Sequence, residues 1–236
     1  MPRSAKAYIA AVIGTWAATM AFVLTHWQSD SLARFLVFLC LFVAAATLKY
    51  RVPGITGTFS PVFFFALLGS ATLSLPEAAV AAAWAGIVQC TFQPQRRPSL
   101  VQVCFNAATL SLSCAVAHLI VQPQILGLSP KPLLISLVLA ASVMYFMNTA
   151  LVSVVLTLVQ RESLTEVWKH WCLGSLPFYL VGAIIVAATL SAESPVTSLV
   201  ALLVAPAILL TTIYFRISLR SPVNGLLHSQ GASRGV

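Results

Sequence analysis

The sequence predicts an all-α, polytopic transmembrane helical bundle of about eight helices, with both termini in the cytoplasm. Composition is the first reason: 59% of the 236 residues are hydrophobic, only 8% are charged, and the mean hydropathy is +0.95. An ordinary soluble domain is about 25% charged and about 45–50% apolar. Recurring apolar stretches of membrane-crossing length, and the distribution of Lys and Arg between them, are the other two reasons. The composition therefore excludes a water-soluble fold.

The apolar stretches approach the length that a helix needs to cross a bilayer, about 20 residues for a hydrocarbon core of about 30 Å. The third and fourth predicted helices come from one long apolar region that we divide at Pro76, because proline lacks the amide hydrogen and suits the first turn of a helix. Several of the predicted helices are short. In chain order they are Tyr8–His26, Leu32–Leu48, Phe59–Leu75, Glu77–Phe92, Leu100–Val121, Leu133–Val159, Leu176–Leu190 and Val196–Phe215.

The basic residues support this count. With the N-terminus inside, all of the 13 Lys and Arg residues except Arg34 and Lys131 fall on the cytoplasmic side, as the positive-inside rule requires. The net charge of +8 then lies in short loops beside anionic lipid headgroups, so we expect the bilayer as a partner and no nucleic acid. Residues 1–215 are the predicted transmembrane domain, and residues 216–236 a short cytoplasmic tail that we expect to be disordered.

Catalysis and metal binding are not expected. The chain has five acidic residues, too few for most carboxylate-based active sites, and it shows no constellation of acid, base and nucleophile. Its five cysteines are scattered singly and form no Cys-x-x-Cys motif, which is typical of small apolar fillers. The sequence therefore predicts a protein that is not an enzyme and has no metal site and no cofactor.

Uncharged polar residues inside the predicted helices are the candidate ligand-binding residues. Four of them are spaced by three or four residues along the fifth helix and so share one face, which would sit poorly against lipid. Two explanations stay open: hydrogen bonds between helices, or a pocket for a small polar or amphipathic ligand. The candidates are Gln102, Asn106, Thr109 and Ser113 on the fifth helix, Tyr145 and Asn148 on the sixth, and Gln89 at the end of the fourth.

Segments spread over most of the chain together resemble the bacterial multi-helix membrane-associated sensor domains found N-terminal to diguanylate cyclase (GGDEF), cyclic-di-GMP phosphodiesterase (HD-GYP) or histidine kinase modules. None of these segments is a catalytic signature. They are Thr47–Thr58, Leu73–Glu77, Val88-Gln89-Cys90, Arg96-Arg97-Pro98 with Gln102 and Phe105-Asn106, Met147–Ala150, Ser163–Trp168 and Tyr179–Ala183.

The resemblance implies a sensory or signalling domain in the bacterial cytoplasmic (inner) membrane that senses a small or lipidic ligand and has no catalytic activity of its own. It would act on a cytoplasmic signalling output protein through the last helix and the segment Glu162–Trp171. No output motif follows Phe215, so we expect either a stand-alone sensor or a truncated form. A homodimer is a further candidate assembly. The alternative is a substrate-binding membrane subunit of a small-molecule transporter, which the uncharged polar stripe would also suit.

Overall fold

The computed structural model of the chain describes residues 1–48, 50–51, 58–94, 97–123, 129, 132–160, 163–164 and 176–192. Within this part the fold is all-α, as predicted. The predicted eighth helix, the tail and most of the segment Glu162–Trp171 lie outside the described residues. The helices are α1 Arg3–Thr25, α2 Leu32–Thr47, α3 Val62–Thr72, α4 Leu75–Thr91, α5 Leu100–Val121, α6 Leu133–Gln160 and α7 Leu176–Ser191.

The helices begin where local chemistry satisfies their first amide groups. At the start of α5 the Ser99 hydroxyl accepts a hydrogen bond from the Gln102 amide at 3.3 Å, and the Gln102 side chain accepts one from the Ser99 amide at 2.8 Å. This reciprocal capping box satisfies two amide groups that have no partner inside the helix. At the start of α4 the Glu77 carboxylate accepts the Ser74 amide at 3.0 Å, and Pro76 lies in the first turn. The prediction that Pro76 opens a new helix is confirmed.

The third helix is shorter than predicted. Phe59 belongs to a two-residue antiparallel ladder that pairs Tyr50–Arg51 with Thr58–Phe59, so α3 begins only at Val62. It ends at Thr72 because Leu73 is extended, with ψ of 162°. Eleven residues make a helix about 16 Å long, roughly half of a hydrocarbon core. By contrast, α1 begins at Arg3, before the predicted start at Tyr8, and the predicted bounds of α5 are confirmed.

Three helices of the described part are long and apolar enough to cross a membrane: α1, α5 and the Leu133–Val159 part of α6. Shorter apolar helices, among them α2, α3 and α7, accompany them. The central helix is α5, which contacts α1, α3, α4 and α6, while α2 packs on α4 and α7 packs on α6. The short α3 lies against α2, α5 and α7, and every residue from Val62 to Ser70 is buried. A helix that is apolar and buried all round is a core element.

Hydrogen bonds between helix ends give the relative directions of the helices. At one end of the bundle Ser29, between α1 and α2, donates to Glu77 at the start of α4 at 2.5 Å. At the same end Gln122 donates to the carbonyl of Ala71 at 3.2 Å. At the opposite end Ser60 donates to the carbonyl of Ala45 at 2.9 Å. These pairings fit a bundle in which successive helices alternate in direction, as short connections between antiparallel neighbours require.

Candidate ligand site in the helix bundle

A close helix contact that involves a predicted site residue lies between α4 and α5. The Asn106 side-chain amide donates to the carbonyl oxygen of Gly86 at 2.6 Å. A methyl group on Gly86 would lie 2.8 Å from Cα of Ala107 and 2.9 Å from the Asn106 carbonyl oxygen, so only glycine allows this approach. Further along the same interface, Ser111 donates to the carbonyl of Ala79 at 2.9 Å. Small residues thus bring two backbones together, and polar side chains bridge them.

The other members of the polar stripe on α5 mainly bond to their own helix. Thr109 is buried and donates to the carbonyl of Asn106 at 3.0 Å. Ser113 is buried and donates to the carbonyl of Thr109 at 2.7 Å. Gln102 is exposed and belongs to the capping box at the start of the helix. The donor hydrogens of Thr109 and Ser113 are therefore engaged, while their oxygen lone pairs can still accept a hydrogen bond from a ligand.

The predicted residues outside α5 lie elsewhere in the bundle. Tyr145 on α6 is 1% exposed and makes an edge-to-face contact with Tyr179 of α7, with ring centroids 5.2 Å apart. Asn148, one turn later on α6, is half-buried, and so is Gln89 near the end of α4. None of the contacts described for these residues joins Asn106 to Tyr145 or Asn148. That the seven predicted residues bind one ligand stays a prediction.

Aromatic rings connect α3, α6 and α7. The ring of Phe63 on α3 stacks on Tyr179, with centroids 4.7 Å apart and an angle of 27° between the planes, and Tyr179 in turn meets Tyr145. Gly182 lies one turn beyond Tyr179, and a methyl group there would come within 2.5 Å of the Phe63 ring. This aromatic cluster of Phe63, Tyr145 and Tyr179 packs α3 and α6 against α7.

Sequence reasoning did not identify a second polar group, between α3 and α5. Ser70 on α3 donates to the carbonyl of Ala66 at 2.7 Å, and its hydroxyl oxygen lies 3.6 Å from the Cys114 sulfur. The imidazole of His118 is 3% exposed and forms a hydrogen bond with the backbone of Ser70, while its Nδ1 has no hydrogen-bond partner. A buried polar atom without a partner costs about 1–3 kcal/mol, and in a native structure it calls for a functional or structural reason.

The four-residue spacing of Cys114 and His118 was the available signal for this group. The spacing places both side chains on one face of a helix but does not reveal which neighbour that face meets. We call Ser70, Cys114 and His118 together the Ser70 cluster.

The burial of Glu77 was also not predicted from the sequence. Its side chain is 0% exposed and accepts hydrogen bonds from the Ser29 hydroxyl and the Ser74 amide. It lies in the first turn of α4, where the helix dipole favours a negative charge. Through these two bonds the carboxylate holds the start of α4 against the connection between α1 and α2. In the described part of the chain, no group of three or more His, Cys, Asp and Glu side chains is arranged to hold a metal ion.

Comparison with known proteins gives one family. The model of MASE9, one of the membrane-associated sensory domain families, matches residues 20–217, which include α2 to α7 and only the last six residues of α1. No curated protein and no solved structure matches the chain significantly. The match covers most of the 236 residues and agrees with the resemblance inferred from the sequence segments. The chain belongs to the MASE9 family of membrane-associated sensory domains.

Proposed function

We propose that this membrane-associated sensory domain spans the bacterial cytoplasmic membrane several times, with both termini in the cytoplasm, binds a small or lipidic ligand between its helices, and acts through a cytoplasmic partner without catalysis of its own. The family match over residues 20–217 is the observation that carries the proposal. The helix directions in the bundle and the positions of Lys and Arg support the assignment of sides.

The outer surface of the bundle supports residence in a bilayer. Large apolar side chains on several helices face outward, and in water such a surface would be a strong aggregation hazard. In a membrane the same side chains contact lipid tails at no cost. The exposed side chains include Phe22 on α1, Leu36 and Val37 on α2, Trp84 on α4, Leu139 and Phe146 on α6, and Ile184 on α7.

A ligand acts on such a domain only if it binds two arrangements of the helices with different affinity. The short helix α3 is suited to be the element that differs, because it spans only about half of a hydrocarbon core and is enclosed by longer helices. Its Phe63 contacts Tyr179 and Gly182 of α7. A shift of α3 would therefore move α7. The predicted last helix follows α7 along the chain and would pass the movement to the cytoplasmic partner.

The lack of catalysis is proposed from the chemistry of the described residues. Glu77 is buried, and its carboxylate binds the Ser29 hydroxyl and the Ser74 amide, so it is not poised to exchange protons with a substrate. The Asp30 carboxylate forms an exposed ion pair with Arg34 at 3.0 Å. The side chains of Asn106, Thr109 and Ser113 each donate a hydrogen bond to a backbone carbonyl, either within α5 or between α5 and α4.

The test compares the double variant Asn106→Ala with Asn148→Ala against the single variant Gln28→Ala, which changes an exposed residue between α1 and α2 that is not one of the candidate ligand-binding residues. Each is expressed with the output protein that copurifies with the wild-type chain, and the output activity is measured in membranes with and without an extract of host lipids and metabolites. We expect the double variant to lose the response while Gln28→Ala keeps it. If the double variant responds normally, or if the copurifying protein is a transport ATPase whose substrate uptake it abolishes, the proposal fails.

A control on folding accompanies this test. Detergent-extracted double variant should elute as the wild type does in size-exclusion chromatography. A double variant that aggregates would show that Asn106 and Asn148 only hold helices together, and the ligand-binding part of the proposal would then be withdrawn.

A further inference from the structure

Two side chains at the end of α5 bond to the last turn of α3. If α3 continued, the carbonyl of Ser70 would accept the amide of Ser74, but that amide donates to a side chain of α4 instead. The imidazole of His118 bonds to the Ser70 backbone and so replaces that amide as the donor. Four residues later, Gln122 donates to the next carbonyl, that of Ala71, at 3.2 Å. We call these two bonds the α3 tie.

Water cannot replace His118 in the α3 tie. Ser70 is 0% exposed, so its carbonyl has no access to solvent in this arrangement. A buried backbone carbonyl without a partner costs free energy comparable to that of a lost hydrogen bond. The bond from His118 therefore holds the C-terminal end of α3 against α5.

The hydrogen-bond pattern also fixes the protonation state of His118. Nδ1 is buried and bonds to no residue in the described part of the chain, so the bond to Ser70 uses the hydrogen on Nε2. A neutral imidazole suits this pattern, because its Nδ1 then carries only a lone pair. A second proton, on Nδ1, would add a buried charge and a buried donor without an acceptor. The ring is 3% exposed, so solvent would compensate neither cost.

The neighbouring helices offer no counterion for a second proton. Glu77 lies at the same end of the bundle, but its carboxylate already accepts the Ser29 hydroxyl and the Ser74 amide. None of the hydrogen bonds and ion pairs of the described residues joins a carboxylate to His118. The titratable and charged groups on the helices packed against α5 are Glu77 and Cys90 on α4, Tyr145 on α6, and Arg3, Lys6 and Tyr8 on α1; Cys104 and Cys114 lie on α5 itself, α3 has none, and His26, Asp30 and Arg34 surround the connection between α1 and α2.

We propose that the α3 tie is proton-sensitive: it holds α3 against α5 while His118 is neutral, and it releases the C-terminal end of α3 when His118 takes up a second proton. The proton comes from water and forms an N–H bond at Nδ1, which gives an imidazolium ion. His118 lies in the last turn of α5, so a small displacement of α3 exposes the ring to water at the end of the bundle. The effect of this release on a cytoplasmic partner rests on the proposed function, whereas the release itself does not.

Lower pH favours release of α3. An imidazole in water gains its second proton at about pH 6.5. Above that pH the His118 ring is neutral in both arrangements, and the α3 tie is intact. Below it the released arrangement binds one more proton than the held one, so the ratio of released to held chains rises by up to about tenfold for each pH unit.

The test follows hydrogen–deuterium exchange of the full chain in lipid nanodiscs between about pH 8 and about pH 5. His118→Gln keeps a donor for the Ser70 carbonyl but takes up no proton. At each pH the amides of α3 are compared with the same amides in this variant, so that the intrinsic pH dependence of exchange cancels. We expect the protection of α3 in the wild type, relative to His118→Gln, to fall by about tenfold or more over this range.

The matched control is the triple variant His26→Gln, His170→Gln and His228→Gln, in which His118 is the remaining histidine of the four. It should show the pH dependence of the wild type. NMR of this variant, labelled with ¹⁵N at histidine, should show one unprotonated ring nitrogen at about pH 8 that gains its proton over the interval in which α3 loses protection. The amides of α6 in the same chain are a second reference for exchange should His118→Gln not fold.

The proposal is overturned by any of three results: the protection of α3 does not depend on His118, the pH dependence disappears in the triple variant, or His118 keeps one protonation state over the whole range. None of these measurements needs a partner or an added ligand. The release of α3 can therefore fail while the proposed signalling function holds, and the reverse outcome is equally visible.

Discussion

Substitution of Gly86 by alanine should push apart the two helices that form the centre of the bundle. The added methyl carbon would lie 2.8 Å from Cα and 3.1 Å from the amide nitrogen of Ala107, and 2.9 Å from the carbonyl oxygen of Asn106. All three atoms belong to the backbone, so no side chain can rotate away. Since carbon atoms in contact are ordinarily about 3.5–4.0 Å apart, α4 and α5 must separate by about 0.7 Å or more.

The cost has three contributions. Overpacking costs about 1–3 kcal/mol, and stretching the Asn106 hydrogen bond to the Gly86 carbonyl costs about 0.6–1.7 kcal/mol. The higher helix propensity of alanine returns at most about 1 kcal/mol. We therefore expect Gly86→Ala to lower the free energy of unfolding by about 2 kcal/mol.

The assay is equilibrium unfolding in mixed micelles, where rising fractions of a denaturing detergent unfold the protein and tryptophan fluorescence reports the transition. Gly14→Ala on α1 is the matched control, because nothing lies within 4 Å of a methyl group placed there. This control should be neutral or slightly stabilising. If Gly86→Ala unfolds at the same detergent fraction as Gly14→Ala, the close α4–α5 contact does not exist as described.

Three further substitutions test other contacts by the same unfolding assay. Asn106→Ala removes a hydrogen bond between helices and should lower the free energy of unfolding by about 1 kcal/mol, whereas Gln89→Ala should leave it unchanged. Equal effects of the two variants would contradict the bond at 2.6 Å. Gly182→Ala should cost about 1–2 kcal/mol through its contact with the ring of Phe63, and Phe63→Leu should recover part of that loss; no recovery would place the strain elsewhere. Glu77→Ala leaves two donors unpaired and should cost about 2 kcal/mol or more, with Glu77→Gln intermediate; an unchanged stability would show that the carboxylate does not join the helix ends.

Helix positions follow from the sequence where apolar length and a capping residue agree. The predicted range Leu100–Val121 is also the observed α5, because Ser99 and Gln102 end the preceding loop with a capping box. The short α3 could not be predicted in the same way. Apolar residues continue beyond both of its ends, and it is limited instead by the ladder at Phe59 and by the extended backbone at Leu73.

The sequence predicts which residues of the candidate site share a helix face, but it does not predict which neighbouring helix that face contacts. The spacing of Asn106, Thr109 and Ser113 places them on one face of α5, but their partners depend on which helix comes close. The approach of Gly86 to Asn106 arises from packing, and periodicity carries no information about it. In the same way, the spacing of Cys114 and His118 was visible in the sequence, while the contact of both residues with Ser70 was not.

Native mass spectrometry of the chain, extracted gently from its host membrane, tests the central claim most directly, because it reports bound ligands and partners together. A sensory domain that acts through a cytoplasmic partner predicts release together with a cyclase, phosphodiesterase or kinase. Release with a transport ATPase or a coupling subunit would contradict the sensory function and support transport. Release of the chain with neither ligand nor partner would contradict both parts of the proposed function and leave the polar residues of α5 with a packing role only.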